Sequence, residues 1–254
     1  MAGTDGEEMS AGTGEETVPL LRARLERTEQ QAASRQRQLE RYAADLREVF
    51  KQERTRAQEL RRSYSATVRA LSNAVEARDA YTGKHAERVT AYGMELARRV
   101  GISLEESPQI EFGFLLHDIG KVAVPDAILF KTSKLTEKEY ALIAQHPVVG
   151  AEILRDVDFI GEGKLVVRHH HERWDGTGYP DGLSGEEIPL AARVFSVADT
   201  LDALTTDRPY RPASPFTDAR ELIVAERGTQ FDPTVIAAFE AIPDEVFARL
   251  RGAL

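Results

Sequence analysis

Apolar residues between Val18 and Ala74 recur with a seven-residue period, which is the longest regular pattern in the chain. The segment contains no glycine, and no proline after Pro19, so no helix-breaking residue interrupts it. Two heptad positions carry the apolar side chains. The d positions are Val18, Leu25, Ala32, Leu39, Leu46, Leu60 and Ala74, and the a positions are Ala43, Phe50, Ala57, Tyr64 and Leu71. The pattern predicts a long helix with one narrow apolar seam.

The seam of this predicted helix is uneven. Polar residues occupy several core positions, namely Arg22, Glu29, Gln36, Glu53 and Thr67. The seam is therefore weak at its start and more continuous from Leu39 onward. A homodimeric coiled coil would bury it. The alternative is a solvated helix that lies against its own domain, and we favour the dimer because a long helix with one narrow stripe is unstable alone.

From about Asp79 to the end of the chain, the pattern changes to that of several shorter helices. Thr136-Glu137-Lys138-Glu139 and Ser103-Leu104-Glu105-Glu106 have the form of capping boxes, and Ser214-Pro215 and Asp232-Pro233 resemble an N-cap followed by proline at N1. Apolar residues recur at helical spacing at Leu190, Val194, Val197, Leu201 and Leu204. Alternating strand patterns are hard to find. The predicted fold class is all-α, a helical bundle preceded by the long coiled-coil helix.

These patterns divide the chain of 254 residues into three predicted parts. Residues 1–17 are rich in glycine, serine, threonine and glutamate, and are predicted to be a disordered tail. Residues 18–75 are predicted to form the coiled-coil helix, a segment suited to signalling. Residues 76–254 are predicted to form the helical domain.

Composition narrows the class of protein. The chain has no cysteine, so disulfides, thiolate metal sites and thiol nucleophiles are excluded, and a reducing compartment is expected. A net charge of −9 argues against a sequence-independent DNA binder, because phosphate neutralisation needs basic surface. No apolar run approaches the roughly 18–20 residues that cross a membrane, and the amino terminus lacks the features of a signal peptide. We expect a cytoplasmic protein.

The candidate chemistry centres on the adjacent residues His117 and Asp118, which offer an imidazole and a carboxylate from one short stretch of backbone. For the pair alone, a polar helix end is the ordinary interpretation. Further candidates on other predicted helices are His85, His146 and Asp199. Several helices that each contribute one or two such groups are typical of metal sites in helical domains. Because cysteine is absent, iron, manganese or zinc would suit such a site.

A second cluster, His169-His170-His171, contains three of the six histidines in the chain. Successive side chains on a helix diverge by about 100°, so three neighbours cannot all reach one metal ion. At least one of them is therefore expected not to be a ligand. The adjacent Glu172 is expected to orient a ligand imidazole.

The segment from Trp174 to Leu183 is predicted to be a loop, because it contains three glycines and a proline. It either forms an ordinary turn between helices or presents Trp174 and Tyr179 for stacking on a nucleobase. Further on, Arg208 and Arg211 suit contacts with phosphate and base, or are simple surface charge.

Taken in order, several of these motifs resemble those of the HD-GYP family, the bacterial HD-superfamily hydrolases that cleave cyclic di-GMP. The segments that carry the resemblance are His117-Asp118-Ile119-Gly120-Lys121, His170-His171-Glu172, Asp175-Gly176-Thr177-Gly178-Tyr179-Pro180 and Val197-Ala198-Asp199. The match covers roughly residues 76–254. It implies an HD-type helical bundle.

The resemblance also implies a role for individual residues. The metal ligands would be His85, His117, Asp118, His146, His170, His171 and Asp199, which leaves His169 as the histidine that does not bind metal. Asp118 would bridge two ions and act with Lys121 in catalysis, with Lys121 near the scissile phosphate. Gly178, Tyr179 and Pro180 would shape the substrate loop, which in the family is also linked to contacts with diguanylate-cyclase partners. The guanidinium groups of Arg208 and Arg211, noted above, are taken as further candidate substrate contacts that favour cyclic di-GMP.

One departure from the family pattern changes the expected number of metal ions. Some members have a glutamate four residues before the first ligand histidine, and it supports a third ion. Here that position is Tyr81. The resemblance therefore implies two divalent ions, with iron or manganese favoured and zinc, magnesium or nickel as alternatives.

The implied reaction is hydrolysis of cyclic di-GMP to linear pGpG, with a second cleavage to GMP as an option, by a hydroxide held between two metal ions. Two alternatives stay open. The chain would otherwise be an HD phosphohydrolase acting on another cyclic or simple nucleotide, or a non-catalytic dimeric module that binds a ligand and signals through the coiled coil.

Overall fold

The computed structural model describes residues 17–78, 84–207 and 211–253, and over these ranges it is helical and contains no strand. The all-α prediction is confirmed. Eleven α-helices occur in these ranges: α1 Thr17–Glu76, α2 His85–Arg99, α3 Gln109–Leu115, α4 Asp126–Leu129, α5 Glu137–Ile143, α6 His146–Ile153, α7 Gly163–His169, α8 Leu190–Thr205, α9 Phe216–Ala225, α10 Pro233–Glu240 and α11 Asp244–Gly252. Short 3₁₀ turns span Ile119–Ala123, Asp158–Ile160 and Gly185–Glu187.

The chain forms two compact units, residues 1–62 and residues 63–254. In the first unit, the described residues 17–62 belong to α1. The apolar side chains at the predicted d positions are more than half exposed in the single chain, namely Leu25, Leu39, Leu46 and Leu60. These exposed side chains would be buried if a second copy of the helix packed against them. The dimer itself stays a prediction.

The second unit includes the end of α1, a stretch predicted above to belong to the coiled-coil segment. Val68 is fully buried, and Ser72 Oγ donates a hydrogen bond of 2.8 Å to the carbonyl of Leu115 in α3. Tyr64 stacks on Phe159, with ring centroids 4.2 Å apart. Residues 63–76 are therefore packed against the helical domain.

The core of the second unit is built around α2 and α8, which pack side by side. Their buried residues include Tyr92, Leu96, Phe195 and Leu201, and they meet side chains from α9, α10 and α11. A second apolar cluster joins the end of α1 to α3 and α7, through Val68, Leu115 and Val167 among others. The apolar faces of α2 and α8 thus point into the core, and polar residues on these helices, such as His85 and Asp199, are available for the candidate metal site described below.

Helix ends follow the predicted capping residues in part. Thr136 and Glu139 form the expected capping box of α5, and Asp232 caps α10 by accepting from the Thr234 amide. Pro215, not Ser214, is the N-cap of α9. Residues 103–106 form a turn before α3, so the capping box predicted at Ser103 does not begin a helix. Across the part of the chain that is described, no helix has the length and apolar character needed to cross a bilayer.

Candidate metal centre

Six of the seven predicted ligand residues lie at the ends of helices that meet in the second unit, and the seventh lies inside a helix. His85 is the first residue of α2, His146 is the first of α6, and His117 and Asp118 follow α3. His170 and His171 follow α7, and Asp199 lies within α8. Four of the imidazoles are buried in the domain, those of His85, His117, His146 and His170. The helix ends thus converge, and residues distant in sequence become neighbours.

Asp118 lies between two groups of imidazoles. Its Oδ2 is 3.1 Å from Nε2 of His117. Its Oδ1 is 3.2 Å from Nε2 of His146 and 4.0 Å from Nε2 of His170. Each carboxylate oxygen therefore faces a different group of potential metal ligands.

The two groups are compact. His146, His170 and His171 form one, and His85, His117 and Asp199 form the other, with the potential ligand atoms of each group within 4.8 Å of one another. His146 Nε2 and His170 Nε2 lie 3.2 Å apart. Such a set of imidazole nitrogens and carboxylate oxygens fits a borderline divalent ion such as iron, manganese or zinc.

Three of the imidazoles are oriented by the main chain. In each case Nδ1 lies within hydrogen-bond distance of the carbonyl three residues earlier: His117 with Phe114 (2.9 Å), His146 with Ile143 (2.8 Å) and His170 with Val167 (2.9 Å). If Nδ1 carries the proton and donates it to the carbonyl, the lone pair of Nε2 points towards Asp118. This is the tautomer that a metal-binding histidine needs.

The electrostatics of the first group favour neutral imidazoles. Burial and the neighbouring imidazoles, His171 first among them, hold the pKa of His170 well below its usual value. Burial, and then His146, lower the pKa of His171 to about 4. Both rings are therefore neutral at pH 7 and have a lone pair available for a metal ion.

Asp118 is ionised in the same surroundings. Burial alone would raise its pKa, but the neighbouring His117 and Lys121 hold that pKa well below the usual range. For His117, the carboxylates of Asp118 and Asp199 outweigh burial and raise the pKa. A buried anion surrounded by nitrogen donors is a suitable partner for divalent cations.

Gly120 explains why the segment after Asp118 approaches α6 so closely. A Cβ atom at this position would lie 1.9 Å from the carbonyl oxygen of His146 and 2.6 Å from the Gly150 nitrogen. Only glycine fits such a contact. The glycine thus brings His117 and Asp118 to the start of α6, where His146 lies.

Lys121 lies one 3₁₀ turn after Asp118, and its Nζ is 2.7 Å from Asp118 Oδ2. The side chain lines a small cavity together with His85 and His117. Lys121 therefore lies beside Asp118, and its contact with the scissile phosphate stays a prediction.

The loop that follows the histidine cluster folds back over it. The ring of Tyr179 stacks on that of His171, with centroids 4.8 Å apart and planes at 30°. Gly178 is pressed against the preceding chain, since a Cβ there would lie 2.4 Å from the Arg173 nitrogen and 2.6 Å from the His171 carbonyl oxygen. Gly178 and Tyr179 thus lie directly beside the predicted ligand His171, and Pro180 follows them in the chain.

A polar cavity of about 250 Å³ opens between this loop, α5 and α8. Its lining includes His170, His171, Tyr179 and Asp199, together with Tyr140, Thr200 and Gln230. Tyr140 meets Tyr179 edge to face at 6.2 Å between centroids. The cavity therefore has two tyrosine rings, polar side chains and three potential metal ligands, His170, His171 and Asp199.

Two predicted contacts differ from expectation. Glu172 is buried, but its carboxylate accepts from the backbone amides of Asp181 (2.8 Å) and Leu183 (3.1 Å) instead of orienting a ligand imidazole. It therefore fixes the far end of the loop. Arg211 donates to the carbonyl of Ala203 at the end of α8. Arg208 and Tyr81 lie outside the described residues.

His169 lies apart from both groups of potential ligands described above. Its Nδ1 is 3.5 Å from Asp181 Oδ2 and 3.9 Å from Glu172 Oε1, so the ring faces the loop. With Glu172 and Asp181 it forms a third group whose potential ligand atoms lie within 4.8 Å of one another, so the expectation that His169 binds no metal ion stays a prediction.

Asp202 and Tyr140 belong to the site and were not predicted from the sequence. Asp202 Oδ2 lies 2.8 Å from Nδ1 of His85. A signal for it existed, because Asp202 follows Asp199 by three residues and therefore lies on the same face of α8. Tyr140 carried no such signal, since it lies on α5, which supplies none of the predicted ligands.

Comparisons with known proteins point to one group of enzymes. A family model described as HD domain matches residues 69–235. The chain is 40% identical over 220 residues to the cyclic di-GMP phosphodiesterase response regulator RpfG of Xanthomonas campestris, covering 86% of this chain and 54% of that protein. It is 39% identical over 194 residues to 3'3'-cGAMP-specific phosphodiesterase 2 of Vibrio cholerae, covering 75% and 37%.

A third relative, the cyclic di-GMP phosphodiesterase PA4108 of Pseudomonas aeruginosa, is 44% identical over 164 residues, covering 63% of this chain and 39% of the relative. The chain spans about half the length, or less, of these curated relatives. A crystal structure of a cyclic GMP-AMP specific phosphodiesterase of V. cholerae aligns with a TM-score of 0.54 at 20% identity, covering 72% of this chain and 53% of that one. This last likeness is one of fold.

Proposed function

This chain belongs to the HD-GYP family of HD-domain proteins, and from that membership we propose that it is a metal-dependent phosphodiesterase that hydrolyses cyclic di-GMP. The relatives named as cyclic di-GMP phosphodiesterases support this substrate. The products would be linear pGpG and, after a second cleavage, GMP.

The observation that carries the proposal is the position of Asp118. One of its oxygens lies 3.1 Å from His117 Nε2 and the other lies 3.2 Å from His146 Nε2. A carboxylate that faces two groups of ligands in this way suits a bridging role. We infer two divalent ions held by His85, His117, Asp118, His146, His170, His171 and Asp199.

Divalent ions bound there would lower the pKa of water and polarise the phosphoryl oxygens, which hydrolysis of a phosphodiester requires at neutral pH. The residues of the chain supply the rest. Lys121 brings an ammonium group to within 2.7 Å of Asp118, where it would offset charge on a bound phosphate. Tyr140 and Tyr179 border the cavity of about 250 Å³, where their rings would contact a base.

A second substrate is favoured by a specific observation. Three of the similar proteins are named 3'3'-cGAMP-specific phosphodiesterases of V. cholerae, at 38–39% identity. Cyclic di-GMP and 3'3'-cGAMP differ in one base, so the metal ligands would serve both. The discrimination would come from the residues that line the cavity.

Two interactions complete the proposal. The exposed seam of α1 would form a homodimer, and the loop at Gly178-Tyr179-Pro180 would offer a surface for a diguanylate-cyclase partner. Support for the first is the exposure of Leu25, Leu39, Leu46 and Leu60. The second rests on the resemblance to the family.

The experiment that tests the function uses the full chain purified without oxygen. Bound metal is measured per chain, and cyclic di-GMP, 3'3'-cGAMP and a deoxynucleoside triphosphate are each followed by chromatography. We expect about two ions per chain and linear pGpG from cyclic di-GMP. If the purified chain contains no metal and yields no linear product, the proposal is refuted. Bound metal without hydrolysis of any of the three nucleotides would favour a ligand-binding module.

Variants of Asp118 make the test specific. Asp118→Asn keeps the size of the side chain but removes its charge, so activity should fall by more than the 10- to 100-fold typical of residues that only support metal ligands. Asp156→Asn is the matched control, because the carboxylate of Asp156 is 87% exposed. Equal activity of the two variants would contradict the role given to Asp118.

A further inference from the structure

His85 differs from the three imidazoles that the main chain orients. Its Nδ1 lies 2.8 Å from Oδ2 of Asp202, so a side chain takes the place of the carbonyl. On the other side of the ring, Nε2 lies 3.4 Å from Oδ1 of Asp199. Asp199 and Asp202 are separated by one turn of α8 and contact opposite nitrogens of one imidazole.

Asp202 is itself held firmly. It is 1% exposed, and its carboxylate accepts hydrogen bonds from Arg88 Nε (2.6 Å to Oδ1) and Arg88 Nη2 (3.0 Å to Oδ2). Thr206 Oγ1 lies 3.4 Å from Oδ1. Burial would raise the pKa of Asp202, but the hydrogen bonds from His85 and Arg88 lower it below the usual value. The carboxylate is therefore an anion with little freedom to move.

We propose that Asp202 is a positioning residue, which fixes the tautomer and orientation of His85 and so sets the metal affinity of the group formed by His85, His117 and Asp199. The inference rests on the proposed metal centre. A carboxylate that accepts from Nδ1–H leaves the lone pair on Nε2 and makes the imidazole a stronger ligand than a carbonyl does. Arg88 keeps the carboxylate directed at the ring.

The proposal makes the two groups of ligands unequal. In the group of His146, His170 and His171, two rings are oriented by main-chain carbonyls, which substitution cannot remove. In the other group, the orientation of His85 depends on one side chain. A substitution of Asp202 should therefore weaken the binding of one metal ion and leave the binding of the other unchanged.

The test measures Mn²⁺ binding to the full-length metal-free protein by equilibrium dialysis without oxygen. For Asp202→Asn we expect one of two sites to weaken by about 10- to 100-fold, while the other keeps its wild-type affinity. Asp232→Asn is a matched control. Asp232 is also buried and paired with an arginine, with Arg193 Nη1 at 2.6 Å, and its variant should bind both ions as the wild type does.

A double-mutant comparison separates positioning from a general structural role. In a His85→Ala background, Asp202→Asn should cause no further loss of Mn²⁺ affinity, because the ring through which it acts is gone. Circular dichroism of the metal-free proteins checks folding. Asp202→Glu keeps the charge but moves the carboxylate, and it should weaken the same site.

Three outcomes would overturn the inference. They are wild-type Mn²⁺ affinity at both sites in Asp202→Asn, equal weakening of both sites, or the full additional loss in the His85→Ala background. Each of these leaves the proposed function standing, since the wild-type chain would still bind two ions. A wild-type chain that binds no divalent metal ion would refute both.

Discussion

The nitrogen that each imidazole presents to Asp118 decides how the candidate metal centre works at the scale of single residues. Three rings contact carbonyls through Nδ1 at 2.8–2.9 Å, which leaves Nε2 for a metal ion. His170 and His171 belong to the group around His146, whereas His169 faces Glu172 and Asp181. Neighbours in sequence therefore have different chemistry because the end of α7 turns their side chains in different directions.

This difference predicts opposite results for two adjacent histidines. His170→Gln should lose one of the two metal ions, because its Nε2 lies 3.2 Å from that of His146 and 4.0 Å from the carboxylate of Asp118. His169→Gln should keep the wild-type metal content. Metal analysis of the two purified variants is the measurement. Loss of metal in His169→Gln with retention in His170→Gln would reverse the assignment.

A pH dependence follows from the lowered pKa values of His170 and His171. Both rings bind protons in the unfolded chain near the usual value of about 6.5, but His171 does so in the folded chain only at about 4. Between these values the unfolded state holds more protons. The free energy of unfolding of the metal-free protein should therefore fall as pH drops from about 6.5 towards about 4.

The size of this effect is on the order of 2–3 kcal/mol for His171, from about 1.4 kcal/mol per pKa unit. Burial lowers the pKa of His117, but the carboxylates of Asp118 and Asp199 outweigh it and raise that pKa, so this one group opposes the trend. Urea unfolding between pH 7 and pH 4.5 measures it. His171→Gln should flatten the dependence, and an unchanged slope in that variant would contradict the explanation.

At the scale of elements, the centre depends on how closely the loops approach the helices. The 3₁₀ turn at Ile119–Ala123 contacts the start of α6 through Gly120, where even a Cβ would lie 1.9 Å from a carbonyl oxygen. The loop after His171 is seated in a similar way through Gly178. These contacts bring ligands from different helices to one place, and they have no tolerance for a side chain.

Gly120→Ala should therefore separate His117 and Asp118 from His146. We expect loss of tight metal binding together with destabilisation of a few kcal/mol, because the clash is with the backbone and cannot be relieved by rotating a side chain. Metal content and thermal unfolding are measured together. Gly101→Ala is a control for glycine replacement, because no atom lies within 4 Å of its Cβ position, although its positive φ carries some strain. Normal metal content in Gly120→Ala would contradict the explanation.

The predictability of the site also differs between elements. The scarcity and clustering of histidine single out a candidate metal site, and the full set of seven proposed ligands comes from the resemblance to the family, whose motifs occur in order in this sequence. Asp202 was missed because its role depends on the packing of α8 against α2, which places it beside His85 at 2.8 Å. Glu172 was given the wrong contact, because the turn of the loop back onto its carboxylate is a tertiary feature that no local pattern encodes.

At the scale of the whole molecule, the sequence indicated the all-α fold and the long first helix, since heptads and caps are local signals. It did not indicate where that helix meets the domain. Val68 and Ser72 lie within the heptad pattern, yet both are buried in the second unit. The end of α1 therefore packs in the helical domain, although the heptad pattern of apolar residues continues through it.

The predicted dimer is tested on the exposed seam of α1. Replacing Leu39 and Leu46 together by glutamate should convert a dimer to a monomer in sedimentation equilibrium, because charges at d positions cannot be buried. Ala44→Glu, which lies at an exposed b position, should leave the dimer intact. A wild-type chain that sediments as a monomer would refute the dimer, and a double variant that remains dimeric would place the interface elsewhere.

The carbonyl contacts of His117, His146 and His170 have a consequence for the order in which this protein folds and binds metal. Imidazole rings that are already oriented by backbone carbonyls do not need a metal ion to orient them. The chain should therefore fold before it binds metal, unlike domains that fold only when their metal ion binds. The metal ion can then exchange without unfolding of the protein. The identity of the metal would reflect which ion the cell supplies when the chain is ready.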